Sequence, residues 1–279
     1  LLIKCWGSRG SIPVCGKEFL KYGGDTTCLE IRTKENEIII VDTGTGIRKL
    51  GNSIINKKFR HFNIILTHAH IDHLWGFPFF KPIYNKKSKI KIYGCPFAQK
   101  TLQKILSDSI GPPYFPLSFD KIEAEISFED ACENEFSLHS LRITPIRLSH
   151  PNMGSGYKFV DNGKSFVFLT DNELTFKHPG GLDYKDYLEF SRDVDLLIHD
   201  AEFTDKEYGI TKSWGHSRYT DALKLALEAQ VKQFGLFHHN QNRTDSELDK
   251  MVESCQNIIN NQQSDLKCFA VKSEMEINL

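Results

Sequence analysis

Apolar residues in this chain fall into short runs, some alternating with polar positions, each closed by a polar or glycine-rich cluster. Alternation with a period of two marks a strand with one buried face. A short unbroken apolar run marks a strand buried on both. On that pattern residues 29–32 and 38–41 form a strand pair around Glu35 and Asn36, and residues 62–66 and 89–93 form two further strands. Residues 1–7 read as a first strand. In the second half, strands are expected at 141–148, 156–160 and 165–169, the last two joined by the turn Asp161-Asn162-Gly163-Lys164. Asn-Gly suits the left-handed backbone of a tight hairpin. Strands follow at 194–198 and 234–237, and 268–271 with 275–277 reads as a closing hairpin.

Helical spacing lies between these runs. A short helix is expected near 47–56, after the polar loop Asp42-Thr43-Gly44-Thr45-Gly46. Another carries apolar positions 98, 102, 105 and 106. A third crosses 219–229 with apolar positions 222, 223, 225, 226 and 227 and Ser217 as its N-cap, and a fourth lies near 245–260. Residues 111–116 hold three prolines and are expected to be irregular. No repeat, linker or low-complexity stretch divides the chain. The expected architecture is therefore one α/β domain over 1–279, two sheets face to face with helices outside.

Composition narrows the function. With 35 basic and 36 acidic residues and a net charge of −1, nothing electrostatic points to bulk nucleic-acid or membrane binding. No apolar run approaches the roughly 20 residues that span a bilayer, and residues 1–7 carry no signal-peptide core. The seven cysteines (5, 15, 28, 95, 132, 255, 268) are odd in number and lack any C-x-x-C. That argues against a disulfide framework or a thiolate zinc knot, and for small buried residues in a reducing cytosol. Cys15 and Cys28, which flank a glycine-rich loop, are the expected exposed exceptions.

The candidate chemistry sits directly after the strand at 62–66, in Thr67-His68-Ala69-His70-Ile71-Asp72-His73. Imidazole nitrogen and carboxylate oxygen are the donors that Zn²⁺ or a similar divalent ion selects. His68 and His70, one residue apart past a strand end, can face the same way. Asp72 and His73 begin the next turn and point to a neighbouring ion, so the spacing suggests two sites. Three further polar residues end apolar strands: His150, Asp171 and His238. Each alone could be a structural cap; together, downstream of the cluster, they favour metal.

The order H-x-H-x-D-H, then His150, Asp171 and His238, resembles the metallo-β-lactamase-fold superfamily over essentially the whole chain. The resemblance implies that His68, His70 and His150 hold one metal, that Asp72, His73 and His238 hold the other, and that Asp171 bridges them. His238 is preferred to the adjacent His239 because relatives place the ligand directly after the strand. Two divalent ions are implied, Zn²⁺ first and Mn²⁺ as the alternative, activating a shared water that Asp72 also orients.

A bridging Asp171 departs from zinc-dependent β-lactamases, and His70 departs from flavodiiron proteins, which carry Glu there. Ile198-His199-Asp200-Ala201-Glu202-Phe203-Thr204 and Trp214-Gly215-His216-Ser217 resemble paired motifs of the tRNase Z branch and allied cyclic-nucleotide phosphodiesterases. There an acidic residue, here Asp200, orients a histidine, here His216, that assists the leaving group. The opening loops Gly7-Ser8-Arg9-Gly10-Ser11-Ile12-Pro13 and Gly23-Gly24-Asp25-Thr26-Thr27 look like that group's, which makes Arg9 and 23–27 possible substrate contacts. The long glycine- and proline-rich arm of tRNase Z is not recognisable; residues 107–135 offer the proline loop and an acidic run from Glu123 to Glu135.

The expected function is thus hydrolysis of a small phosphodiester such as a cyclic nucleotide, by a cytoplasmic protein with no membrane partner and with homodimers common in the branch. The rivals are a thioesterase or lactonase on the same metals, tRNase Z-like RNA processing, and a metal-binding scaffold. His61, His139 and His178 lack such context and are expected at the surface.

Overall fold

Two seven-stranded sheets absorb the alternation of the sequence. The structure is a computed structural model that describes residues 1–57, 59–95, 101–132 and 134–279. The strands β1 (Leu2–Gly7), β2 (Cys28–Arg32), β3 (Ile38–Val41), β4 (His61–Ile65), β5 (Lys89–Gly94) and β6 (Glu125–Asp130) belong to the first sheet. The second contains β7 (Phe136–Leu138), β8 (Leu141–Arg147), β9 (Ser155–Asp161), β10 (Lys164–Leu169), β11 (Leu196–Asp200), β12 (Gln233–Phe237) and β13 (Lys267–Ala270). The last strand, β14 (Glu276–Asn278), returns to the first sheet beside β1.

Both sheets repeat one pairing pattern. Neighbours are antiparallel along β14-β1-β2-β3 and parallel along β3-β4-β5-β6. They are antiparallel along β7-β8-β9-β10 and parallel along β10-β11-β12-β13. Parallel strands need crossovers, and helices supply them. These are α1 (Ile47–Ile54), α2 (Ile71–Leu74), α3 (Leu102–Ser109), α4 (Tyr184–Phe190), α5 (Asp205–Thr211), α6 (Tyr219–Glu228) and α7 (Asp245–Asn261).

Period two assigns each strand's residues to a layer. Ile39 and Val41 of β3, with Phe166 and Phe168 of β10, fill the space between the sheets. Their neighbours Ile38 and Ile40 face α1 and α3, while Val167 and Leu169 face α6 and α7. The first helix shows why a short element suffices: Ile47, Leu50 and Ile54 recur at helical spacing and are all buried. The longest, α7, starts at a capping box in which Thr244 accepts from the Glu247 N–H and Glu247 accepts from the Thr244 N–H.

Several expectations hold, among them the first strand, the 29–32 and 38–41 pair, and the irregular 111–116 loop. The hairpin at 161–164 does too, with Asn162 and Gly163 at φ of 49° and 74°. Others need correction. The closing pair is no hairpin, since β13 adds in parallel to β12 whereas β14 crosses to β1 in the other sheet. The turn residues between the two runs do not distinguish a hairpin from a change of sheet. The N-cap position of α6 is Arg218, because the Ser217 hydroxyl is spent on the Asn172 carbonyl and the Leu174 N–H. Position 98 lies outside the described residues, and α3 covers the remaining three apolar positions. Cys28 is buried, not exposed.

Candidate metal centre

Every parallel strand directs its C-terminal end to the same side, and β8, two antiparallel steps from β10, runs that way as well. The polar residues after β3, β4, β8, β10, β11 and β12 therefore converge at one end of the sandwich. Three of them turn the chain sharply: Asp42, Asp171 and His238 have φ of 62°, 55° and 55°. Asp and His are among the few side chains that tolerate this left-handed region.

Among the described residues, convergence produces a group of Glu202, His216 and His238 beside two larger ones. Donor atoms of His68, His70, His150 and Asp171 all lie within 4.8 Å of one another, as do those of Asp72, His73, Asp171 and His238. Asp171 belongs to both. Its Oδ2 is 3.5 Å from His68 Nε2 and 3.3 Å from His238 Nε2, while Oδ1 is 3.3 Å from His73 Nε2. The opposite ring nitrogens are held. His73 Nδ1 meets Asp42 at 2.8 Å, His150 Nδ1 the Gly215 carbonyl at 2.8 Å, and His238 Nδ1 Glu202 at 3.0 Å. Such outer partners fix ring orientation and tautomer around a metal.

The donor set fits divalent cations. His68 Nε2 and His73 Nε2 are buried and make no hydrogen bond, a costly arrangement that coordination would relieve. Burial, reinforced by His73, keeps His68 well below the ordinary histidine range, and burial takes His150 down to about 3. Both are thus held as the neutral imidazole that binds metal. Burial opposes protonation of His73 and His238 too. There the carboxylates win: Asp72, Asp171 and Asp42 push His73 well up, and Asp171, Asp72 and Glu202 do the same to His238. An acidic surplus that recruits protons is also one that calls for a cation.

Glycines give the rings room. A Cβ on Gly10 would lie 2.3 Å from the His238 ring, and one on Gly215 would lie 2.2 Å from His150 Nδ1. Gly215 moreover sits at φ +98°, which favours glycine.

Beside these groups His216 stacks on His238, with centroids 4.6 Å apart and an interplanar angle of 16°. Its Nδ1 is 2.8 Å from Asp200 Oδ2. Asp200 is itself fixed by the N–H groups of Asn172, Glu202 and Ser217. Burial disfavours the charged ring, yet Glu202 and Asp200 hold its pKa up at about 9. With Nδ1 taken, Nε2 is the atom left for another group.

Residues 37–239 match the family described as the beta-lactamase superfamily domain. The chain belongs to that superfamily. It is similar to a ribonuclease Z of Picrophilus torridus, with 23% identity over 91% of this chain and 90% of the relative. Its fold is that of the metallo-β-lactamase fold protein YhfI from Bacillus subtilis, at TM-score 0.72, with 17% identity over 99% and 98% of the two chains. A diphosphatase from the PhnP family superposes at TM-score 0.70, with 16% identity over 100% of this chain and 97% of its own.

Within this metallo-β-lactamase fold the residues expected as ligands or at the leaving group converge: His68, His70, Asp72, His73, His150, Asp171, His238, Asp200 and His216. His239 does not; its Nε2 reaches the Val271 carbonyl at 2.7 Å, away from both groups. Arg9 is no substrate contact. Its side chain is fully buried and donates to the carbonyls of Gly23, Asn240 and Arg243. The 23–27 loop is likewise occupied, since Thr26 and Thr45 exchange N–H to hydroxyl bonds. His178 is buried rather than exposed, with Nε2 2.9 Å from Glu173.

Two carboxylates at the site, Asp42 and Glu202, stand in sequence motifs that gave them no role. Asp42 follows β3 just as His238 follows β12, and Glu202 lies two residues beyond Asp200, so an extended chain presents both on one side. Those were the available signals. Arg9 yields a stability prediction. Arg9→Ala strands the Gly23 and Arg243 carbonyls, while Asn240 keeps the Arg243 N–H, and is expected to cost about 2–4 kcal/mol, read as a lower urea midpoint; an unchanged midpoint would show the network to be dispensable.

Proposed function

We propose that residues 1–279 act as one metal-dependent hydrolase domain that cleaves small phosphodiesters, a cyclic nucleotide or similar. The observation that carries this reading is the Asp200–His216 couple stacked on His238 beside the two ligand groups. His68, His70 and His150 would hold one divalent ion, Asp72, His73 and His238 the other, with Asp171 shared; Zn²⁺ is the first choice and Mn²⁺ the second. When bound, such ions supply hydroxide near neutral pH and offset charge on the non-bridging phosphate oxygens.

The chain's own residues do the rest. Oδ2 of Asp72 accepts from the Ser11 N–H at 2.9 Å and lies 3.1 Å from His238 Nε2, so Oδ2 and Nε2 would share one ion. Its Oδ1 is then the acceptor that orients the attacking water. As the new P–O bond forms, the bond to the leaving oxygen breaks, and that oxygen takes a proton from His216 Nε2. Asp200 keeps the ring in place for the transfer. A thiolate leaves without such help, because thiols ionise near pH 8.5. A dedicated acid therefore supports an alkoxide leaving group over a thioester.

Relatives named ribonuclease Z support a second substrate with the same bond, an RNA phosphodiester. Protein loaded with Zn²⁺ or Mn²⁺ is expected to hydrolyse bis(p-nitrophenyl) phosphate. Parallel assays on a precursor tRNA with a 3′ trailer and on thioester and lactone substrates would decide between the readings. Turnover of the carbonyl esters with none of any phosphodiester would overturn the proposal.

A further inference from the structure

A cavity of about 690 Å³ opens beside His70, bounded by Ala69 and Ile71 on either side of it and by Trp75, Phe79, Tyr114 and Phe115. That volume is in the range of small-molecule sites. The walls are aromatic and unusually open: Trp75 is 52% exposed, Phe79 53% and Tyr114 83%. Phe79 and Phe115 meet edge to face at 5.8 Å, which fixes one wall. Soluble proteins seldom leave a contiguous apolar surface of this kind without a use for it.

Its charge says what does not enter. Among the described lining residues there is no lysine or arginine, and the one charged group is Asp108, paired with Lys104 at 2.6 Å. The described lining thus offers a phosphate no cation. A flat, uncharged group finds a hold there, because every nucleobase presents a π-face that stacks on aromatic side chains. Three of its lining residues, Ala69, Ile71 and Leu74, belong to the segment that carries His68, His70, Asp72 and His73, whereas His216 stacks on His238.

We infer that Trp75, Phe79, Tyr114 and Phe115 form a base-stacking subsite for the nucleoside retained on phosphorus, which makes the substrate a nucleotide diester. This rests on the phosphodiesterase reading above. The retained base lies against the aromatic wall beside His70, and the expelled oxygen lies at His216.

Two esters that release the same p-nitrophenolate test it, thymidine 5′-(p-nitrophenyl phosphate) and methyl p-nitrophenyl phosphate. Metal-loaded wild type is expected to favour the nucleoside ester in kcat/KM by about 10- to 100-fold. Trp75→Ala and Phe79→Ala, both at exposed positions, should bring the ratio to within about threefold while the methyl ester rate holds. Thymidine alone should saturably quench tryptophan emission of the wild type and not of Phe79→Ala. Equal rates on both esters, or a preference that survives both substitutions, would overturn the subsite and leave the phosphodiesterase reading standing. Quenching that Phe79→Ala abolishes, with neither ester hydrolysed, would uphold a base site and remove the phosphodiesterase reading instead. A wild-type dimer that Trp75→Ala dissociates in sedimentation would assign the surface to a second copy of this chain and overturn the inference.

Discussion

Asp171→Ala is expected to lose both metal ions and, with them, at least about 10³-fold in kcat/KM. Asp171 is the one residue common to both donor groups. Its two oxygens face different histidines, Oδ1 toward His73 and Oδ2 toward His68, His150 and His238. Without it, each group keeps donors but loses the shared anion that offsets repulsion between neighbouring cations. Metal content after dialysis, by emission spectrometry, is the primary reading and turnover the second. Asp171→Asn, which preserves shape and removes the charge, should lose metal as well, so a folding defect in the alanine variant cannot mimic the result. Two equivalents of metal with turnover within about tenfold of wild type, in either variant, would disprove the bridging role.

His216→Ala should behave in the opposite way, keeping its metal and losing turnover. Removal of a positioned acid costs about 10²- to 10⁴-fold. The loss should be largest for a diester that expels an alkoxide and smaller for p-nitrophenolate, which leaves with little need of a proton. Such dependence on the leaving group separates proton donation from simple positioning. The rival outcome is explicit, because His216 also falls within 4.8 Å of donor atoms of Glu202 and His238. Loss of metal from His216→Ala would make the residue a ligand and remove it from the leaving-group step.

Legibility in the sequence followed the physics of each feature. Strands such as β3 and β10 are buried on both faces, so their apolar runs were plain, and Asp171, the candidate ligand after β10, could be found from the strand end. The edge strand β6 went unread because Glu125, Glu129 and Asp130 are acidic and none of its six residues is fully buried. It is held by pairing with β5 and by the Lys91–Glu129 ion pair at 3.0 Å. Arg9 in the glycine-rich opening loop looked free, yet carbonyls from two distant loops take its guanidinium. His178 looked idle, yet it closes on Glu173, which also accepts from the Ser213 and Gly215 N–H groups and so holds the loop carrying His216.

The sequence by itself determined the two-sheet architecture, the helical crossovers and the identity of the donor side chains, because periodicity and local spacing are properties of contiguous residues. Tertiary structure alone decided what depends on distant segments meeting. It sent β13 and β14 to different sheets, turned His238 toward the donor groups and the equally buried His239 away from them, and set Asp42 and Glu202 behind His73 and His238. It also gathered Trp75, Phe79, Tyr114 and Phe115 around one cavity. A side chain's partner across the fold is fixed by which strand ends converge, and no local pattern encodes that.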